Sequence, residues 1–286
     1  MDQFNLTYSL TVQKRNKDEF VEISNPLTVD FNINKTSYKG SNTLTIKIFN
    51  LSEGTRDSLR RDPQFNLKSK QQVITFAAGY NGNNIRFFQG VVVSCTVMRE
   101  GVNTVTVITA FDHGLISDIV TRRSYVKGTL KQQIIDDMIN ELGVAGIKRG
   151  FIEPVSGSIK RNLTVFGRTV DLLGEMTEDK FYIDNMKGNV TDFKRIFAPS
   201  VISVIDSSIL LGTPALQSSL ISFQTPLEAG LVIGQMLELR SKTVPYFNGQ
   251  VIVQSFEHKG TISDSVKSSV TTNVVAKYKY AGLKYD

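Results

Sequence analysis

Residues Phe87 to Gly101 read FFQGVVVSCTVMREG, and residues Tyr246 to Gly260 read YFNGQVIVQSFEHKG. Each is an aromatic pair, one residue, a glycine, a β-branched run, a charged end and a second glycine. Laid in register without a gap, Phe88 falls on Phe247, Gly90 on Gly249, Val93 on Ile252 and Gly101 on Gly260. A glycine inside a strand pattern marks a close backbone approach, and one after a charged end marks a turn. The repeat predicts one hairpin built twice, with Gly90, Gly101, Gly249 and Gly260 as its structural glycines and Gly101 and Gly260 turning the chain. Cys95 aligns with Gln254, so its thiol is no part of what repeats.

The pattern around the first hairpin is sheet-like. Phe4, Leu6, Tyr8, Leu10 and Val12 alternate with polar residues, as do Val29, Phe31 and Ile33, and Leu44, Ile46 and Ile48, the period-2 signature of half-buried strands. FNLSEGTRDSLRRDP interrupts them with a short helix capped by Ser52 and stopped by Pro63. Strand, NGNN turn and strand follow, then VNTVTVITAFDHG. The middle of the chain changes character. TLKQQIIDDMINELG predicts a helix with Leu130, Ile134, Met138 and Leu142 on one face, a Thr129–Gln132 capping box and Gly143 as its stop. A second helix begins near Thr169, and FYIDNMKGNVTDF reads as a hairpin turning at Lys187–Gly188.

Strand patterns return near Ala198 and run in the order of the first unit. SSLISFQT stands for TLTIKIFN, LEAGLVIG for the LSEGTRDSL helix, QMLELRSK for QVITFAAG, and then the second hairpin follows. The fold class is mainly β with a small α/β insert. Two related β-barrel domains, 1-115 and 196-286 with its C-terminal tail, flank an α/β middle domain, 116-195.

Composition bounds the function. A chain of 286 residues with 41% hydrophobic and 21% charged residues is that of a folded protein of more than one unit. No apolar run reaches the roughly 20 residues that span a bilayer, and MDQFNLTYSL lacks the order of a secretory signal. A single cysteine excludes an internal disulfide and a multi-cysteine metal site, and Cys95 reads as a buried strand residue. The net charge of +6 suits an anionic partner, but acids and bases are mixed along most of the chain.

No catalytic constellation emerges. His113 and His258 each adjoin an acid, Asp112 and Glu257, yet neighbours on a strand point to opposite faces, so both read as structural or exposed histidines. HExxH and GxSxG motifs are absent, and Asp136, Asp137 and Asp206 read as solvated carboxylates. The expectation is a protein that is not an enzyme, with no catalytic residues, cofactor or metal.

Two basic stretches are candidate partner or nucleic-acid contacts. TRRSYVKGTLK holds Arg122, Arg123 and Lys127, and the tail KYKYAGLKYD interleaves Lys277 and Lys279 with Tyr278 and Tyr280. Cations among aromatic faces suit a single nucleic-acid strand. A solvated linker and a strand whose lysines snorkel past packed tyrosines account for the same residues. An arm docking on a partner subunit is a third reading.

Taken in order, NTLTIKIFNLSEGTRDSL, VITFAAGYNGN, RFFQGVVV and GVNTVTVITAFDHG resemble the N-terminal domain of baseplate hub proteins of contractile-tailed bacteriophages. TLKQQIIDDMINELG, VDLLGEMTEDKFYIDNMKG and NGQVIVQSFEHKG extend the resemblance over nearly the whole chain; His113, between Asp112 and Gly114, departs from the pattern. The resemblance implies a structural virion protein in the tail baseplate, assembled in the bacterial host cytoplasm. It implies a homotrimeric, pseudo-sixfold ring that joins the hexameric tail tube protein to the trimeric central spike protein. Other baseplate proteins would surround it, and DNA would pass transiently through its channel. A nucleic-acid-binding β-barrel protein is the alternative.

Overall fold

The computed structural model describes residues 5–37, 42–61, 71–113, 119–191 and 203–278. The first stretch of chain forms β1 (Leu6–Gln13), β2 (Phe20–Ser24), β3 (Val29–Thr36), β4 (Thr43–Phe49), α1 (Glu53–Leu59), β5 (Val73–Tyr80), β6 (Asn83–Glu100) and β7 (Asn103–Phe111). The middle forms β8 (Val120–Tyr125), α2 (Lys131–Leu142), β9 (Lys148–Ile152), β10 (Leu163–Arg168), α3 (Thr169–Met176), β11 (Phe181–Asp184) and β12 (Lys187–Val190). The last stretch forms β13 (Ser203–Asp206), β14 (Ala215–Gln217), β15 (Leu220–Pro226), β16 (Met236–Arg240), β17 (Gly249–Ile262) and β18 (Ser269–Tyr278).

The fold is mainly β. Among the described residues one 13-stranded sheet runs β14-β15-β18-β17-β3-β4-β7-β6-β5-β1-β2, with β16 and β13 branching from β17. The path is open and closes no barrel there. The insert adds a β8–β10 pair and a β11-β12-β9 sheet against the two helices. Alternation explains the cores: Leu10, Ile33, Ile46, Phe76 and Phe88 meet in the first, and Ile221, Leu239, Val253 and Val274 in the one around β15–β18. The insert packs Ile134, Met138 and Leu142 of α2 against Leu173 of α3 and Phe181 of β11.

Local signals meet different outcomes. Ser52 caps α1, its Oγ accepting from the Thr55 N–H at 3.3 Å; Pro63, the expected stop, lies outside the described residues. Asn81 and Gly82, at φ 54° and 79°, make the tight turn between β5 and β6. The expected capping box of α2 does not form. Thr129 Oγ1 donates to the Val126 carbonyl at 2.8 Å, and Gln132 engages Asp136 and the Val155 N–H at 2.9 Å each. Leu130 is 59% exposed, and the buried face is instead Ile134, Ile135, Met138, Ile139 and Leu142. Gly143 continues into a single 3-10 turn, and the chain reverses at Gly146, φ 80°. The β11–β12 hairpin turns at Asn185–Met186 rather than Lys187–Gly188, because Lys187 pairs with Asp184. LEAGLVIG occupies the place of α1 as two turns, with no helix.

Candidate functional site

The ladders contain the same four-strand order twice. β4-β7-β6-β5 in the first unit matches β15-β18-β17-β16 in the second, every pair antiparallel. In both, one long strand leaves a partner part-way along its length. β6 pairs with β5 up to Val91, and β17 pairs with β16 up to Ile252. Just beyond, each carries one extra residue, Val93 between Val92 and Ser94 and Gln254 between Val253 and Ser255. A bulge bends a strand and re-aims the residues beyond it.

Taking the two bulges as equivalent sets Cys95 on Phe256, Ile108 on Val274 and Ala110 on Ala276, and all six are buried. The gapless sequence alignment is thus out of step by two residues, since it sets Val93 on Ile252. The glycines account for the slip. Gly90 lies inside β6, where an added Cβ would come within 2.5 Å of the Phe111 carbonyl oxygen. Gly101 is at the β6–β7 hairpin tip with φ 62°, and Gly249 opens β17. Gly260 sits within β17 between Phe31 and Val270, with room for no Cβ (2.0 Å from Ser269 O), and the chain reverses only after Ile262.

The two copies are joined within the chain. After its bulge, β17 pairs with β3 from Ser255–Thr36 to Ile262–Val29, making the sheet continuous. Beneath this seam lies a polar junction that sequence reading missed. Lys35 Nζ, from β3, lies 2.6 Å from Asp184 Oδ1 and 3.1 Å from Asn185 Oδ1 at the tip of the insert's β11–β12 hairpin. Asn42 receives the Thr36 N–H at 2.8 Å and donates to Asp112 Oδ2 at 2.7 Å and to the Ile183 carbonyl at 3.0 Å. Gln89 of β6 donates its N–H to Asn185 Oδ1 at 2.9 Å. Burial, and then the charge of Asp184, push the Asp112 carboxyl up to about 8, so it keeps its proton at neutral pH.

One signal for this junction was present. Lys35 continues the inward parity of Val29, Phe31 and Ile33 on β3 and is 4% exposed. His258 also faces inward, while Glu257 faces away and accepts from Asn32 and Asn273. The His258 ring packs against Phe87 and Phe256, with Nδ1 2.8 Å from Thr272 Oγ1. Burial, helped by the Lys35 charge, holds its pKa down at about 3. Burial likewise pushes the Cys95 thiol up to about 12, which leaves it inert as a nucleophile.

Among the described residues the basic candidates do not form one cluster of side chains on one sheet. Arg122 stacks over Phe166 at 4.7 Å, and Arg123 pairs with Glu141 and Asp137 of α2. Lys127 is exposed, and its N–H donates to Asn162 Oδ1 at 2.9 Å. Lys277 and Tyr278 belong to β18, where the Tyr278 hydroxyl donates to the Phe247 carbonyl at 2.7 Å. Lys279 and Tyr280 lie outside the described residues. Among the described residues no group of three or more His, Cys, Asp or Glu is placed to hold a metal, and no helix is long and apolar enough to cross a membrane.

The fold is that of phage tail proteins. It matches the 43 kDa tail protein of Shewanella oneidensis prophage MuSo2 at a TM-score of 0.62 and 8% identity, covering 95% of this chain and 98% of that one. It matches a Neisseria meningitidis MC58 tail protein at a TM-score of 0.63 and 8% identity, over 95% and 96%. It also matches the Escherichia coli c3393 protein, a type VI secretion component described as similar to T4 tail proteins gp27 and gp5, at 0.59 and 10% identity over 95% and 77%. Residues 6–265 match the family model of the baseplate hub gp41. The chain belongs to that family and is a structural protein of the phage tail baseplate. No curated protein matches by sequence.

Proposed function

We propose that this chain is a non-enzymatic hub, three copies of which form a ring between the hexameric tail tube and the trimeric central spike. Residues 1–115 and 196–286 act as two related barrel-like units, and residues 116–195 as the insert between them. The duplicated strand order carries this reading: two alike units per chain let three chains present six to a sixfold tube while remaining threefold toward a spike. Closed point-group symmetry fixes the ring's size, and its centre is the passage for DNA. The ring belongs to the virion and is assembled in the host cytoplasm. The relatives support the spike as partner, since one is described as a PdpA–VgrG complex from Francisella. Imaging the purified protein with and without its spike tests the reading; a threefold particle with a central channel supports it.

The nucleic-acid alternative keeps one favourable feature, the exposed Arg122–Phe166 stack. Salt-sensitive single-strand binding that survives replacement of Tyr278 but not of Phe166 is its signature.

A further inference from the structure

The internal repeat assigns a partner to a strand edge that the described residues leave open. In the second unit, the side of β17 facing away from β18 is covered by β3 from Ser255 to Ile262. The equivalent stretch of β6, on the side facing away from β7, meets only the Arg61–Cys95 bridge among the described residues. From Thr96 to Glu100 every residue is exposed, with Val97 at 45% and Met98 at 44%. Val97 stands where His258 is buried at 0% under the seam. An open strand edge with apolar residues is a template for pairing.

The strand that should fill it is set by the same repeat. β3 lies beside β4 in the first unit as β14 lies beside β15 in the second, and β14 ends the sheet path. β14 is therefore the counterpart of β3, and it too has a free edge among the described residues. Because rightful pairing of β3 is with β17 of the same chain, pairing of β14 falls to β6 of another copy.

We propose that β14 of one copy pairs antiparallel with the Thr96–Met98 edge of β6 of the next, repeating the β3–β17 seam between chains. This rests on the ring reading above and names the strands that close it. Carrying the β3–β17 register through the ladders sets Val97 opposite Leu216, Met98 opposite Ala215 and Thr96 opposite Gln217. The fit ends where it should. Arg61 already takes the Cys95 backbone, with N–H···O distances of 3.1 and 2.8 Å. β14 stops at Gln217, one residue before that point, and Ser218, at φ 58°, turns the chain away there. The contact is head-to-tail, uses different surfaces on the two copies, and closes only as a ring.

Alternation from Cys95 directs the backbone groups of Val97 to the open side, so Met98–Ala215 is a non-hydrogen-bonded pair with Cα atoms about 4.5 Å apart, within disulfide reach. The test mixes a Met98→Cys chain with a differently tagged Ala215→Cys chain, both in a Cys95→Ala background, with the spike protein present and mild oxidant added. The expected result is a disulfide-linked pair carrying both tags, and for the doubly substituted chain a ladder ending at three. A Met98→Cys and Val266→Cys mixture is the control and should give no such product. A threefold ring by imaging without the Met98–Ala215 crosslink overturns this pairing and leaves the hub reading standing. A chain that stays monomeric with its spike overturns both. Hydrogen-exchange protection of the Val97 and Arg99 amides, which face the open side, already in the isolated monomer shows the edge filled within the chain and also overturns the pairing.

Discussion

Lys35 Nζ lies 2.6 Å from Asp184 Oδ1, with side chains 3% and 17% exposed, and this pair ties the first unit's β3 to the tip of the insert's β11–β12 hairpin. The two residues are far apart in sequence and belong to units with separate cores. Removing one charge of a buried pair leaves the other uncompensated, which costs about 3–5 kcal/mol. Lys35→Ala is expected to destabilise the protein by about 3 kcal/mol in urea unfolding. The double variant Lys35→Met, Asp184→Leu should recover much of that loss, which a double-mutant cycle measures.

Asp112 gives the junction a pH dependence of defined sign. Its folded pKa is raised from 3.8 to about 8, by burial first and by Asp184 second, with Lys35 and Asn42 acting the other way. The folded state thus holds a proton that the unfolded chain releases at lower pH. Its contribution is fully present below the unfolded pKa and is lost progressively as pH rises toward about 8, above which both states are ionised. Asp112→Asn should flatten this part of the stability profile between pH 5 and 8. An unchanged slope in urea midpoints across that range contradicts the assignment.

His258 acts with the opposite sense. Its folded pKa is lowered from 6.5 to about 3 by burial and by Lys35, so the folded state refuses a proton that the unfolded chain accepts. Its contribution is present above the unfolded pKa and is lost as pH falls from about 6.5 to about 3. His258→Phe should lose the Thr272 hydrogen bond yet weaken the acid slope, read from thermal unfolding at pH 4 and pH 7.

The four repeat glycines should divide by neighbourhood. At Gly260 an added Cβ would sit 2.0 Å from Ser269 O and 2.7 Å from Val270 Cα, both backbone atoms of the paired strand. At Gly101 nothing lies within 4 Å, and only φ 62° opposes a side chain. Gly101→Ala is expected to cost about 1 kcal/mol, whereas Gly260→Ala should cost several times more, because φ 149° also disfavours a side chain there and the β17–β18 ladder must move. Equal losses in urea unfolding would show that backbone approach at Gly260 is not what selects glycine.

How much of this could be read from the sequence depended on how local each cause was. Ser52, the Asn81–Gly82 turn and the alternation of β3, β4 and β7 are decided within a few residues, and the sequence carried them. The short strands β2, β8, β9, β10 and β14 are fixed by distant partners, and nothing in PALQ or TRRSY distinguishes them from loop. The duplication itself was legible, but its register was not. A glycine marks tip and close approach alike, and only the bulges at Val93 and Gln254 show which position answers which. The junction was hidden for the same reason: Asp112 beside His113 reads as a loop end until Asn42 and Asp184 are brought to it.

The proposed ring of three rests on the two alike units in each chain. The measurement that bears on it most directly is imaging of the protein mixed with its spike and tube partners. The expected result is a threefold particle with a central channel whose tube-facing side shows six similar lobes. A strictly monomeric chain in the presence of both partners contradicts it.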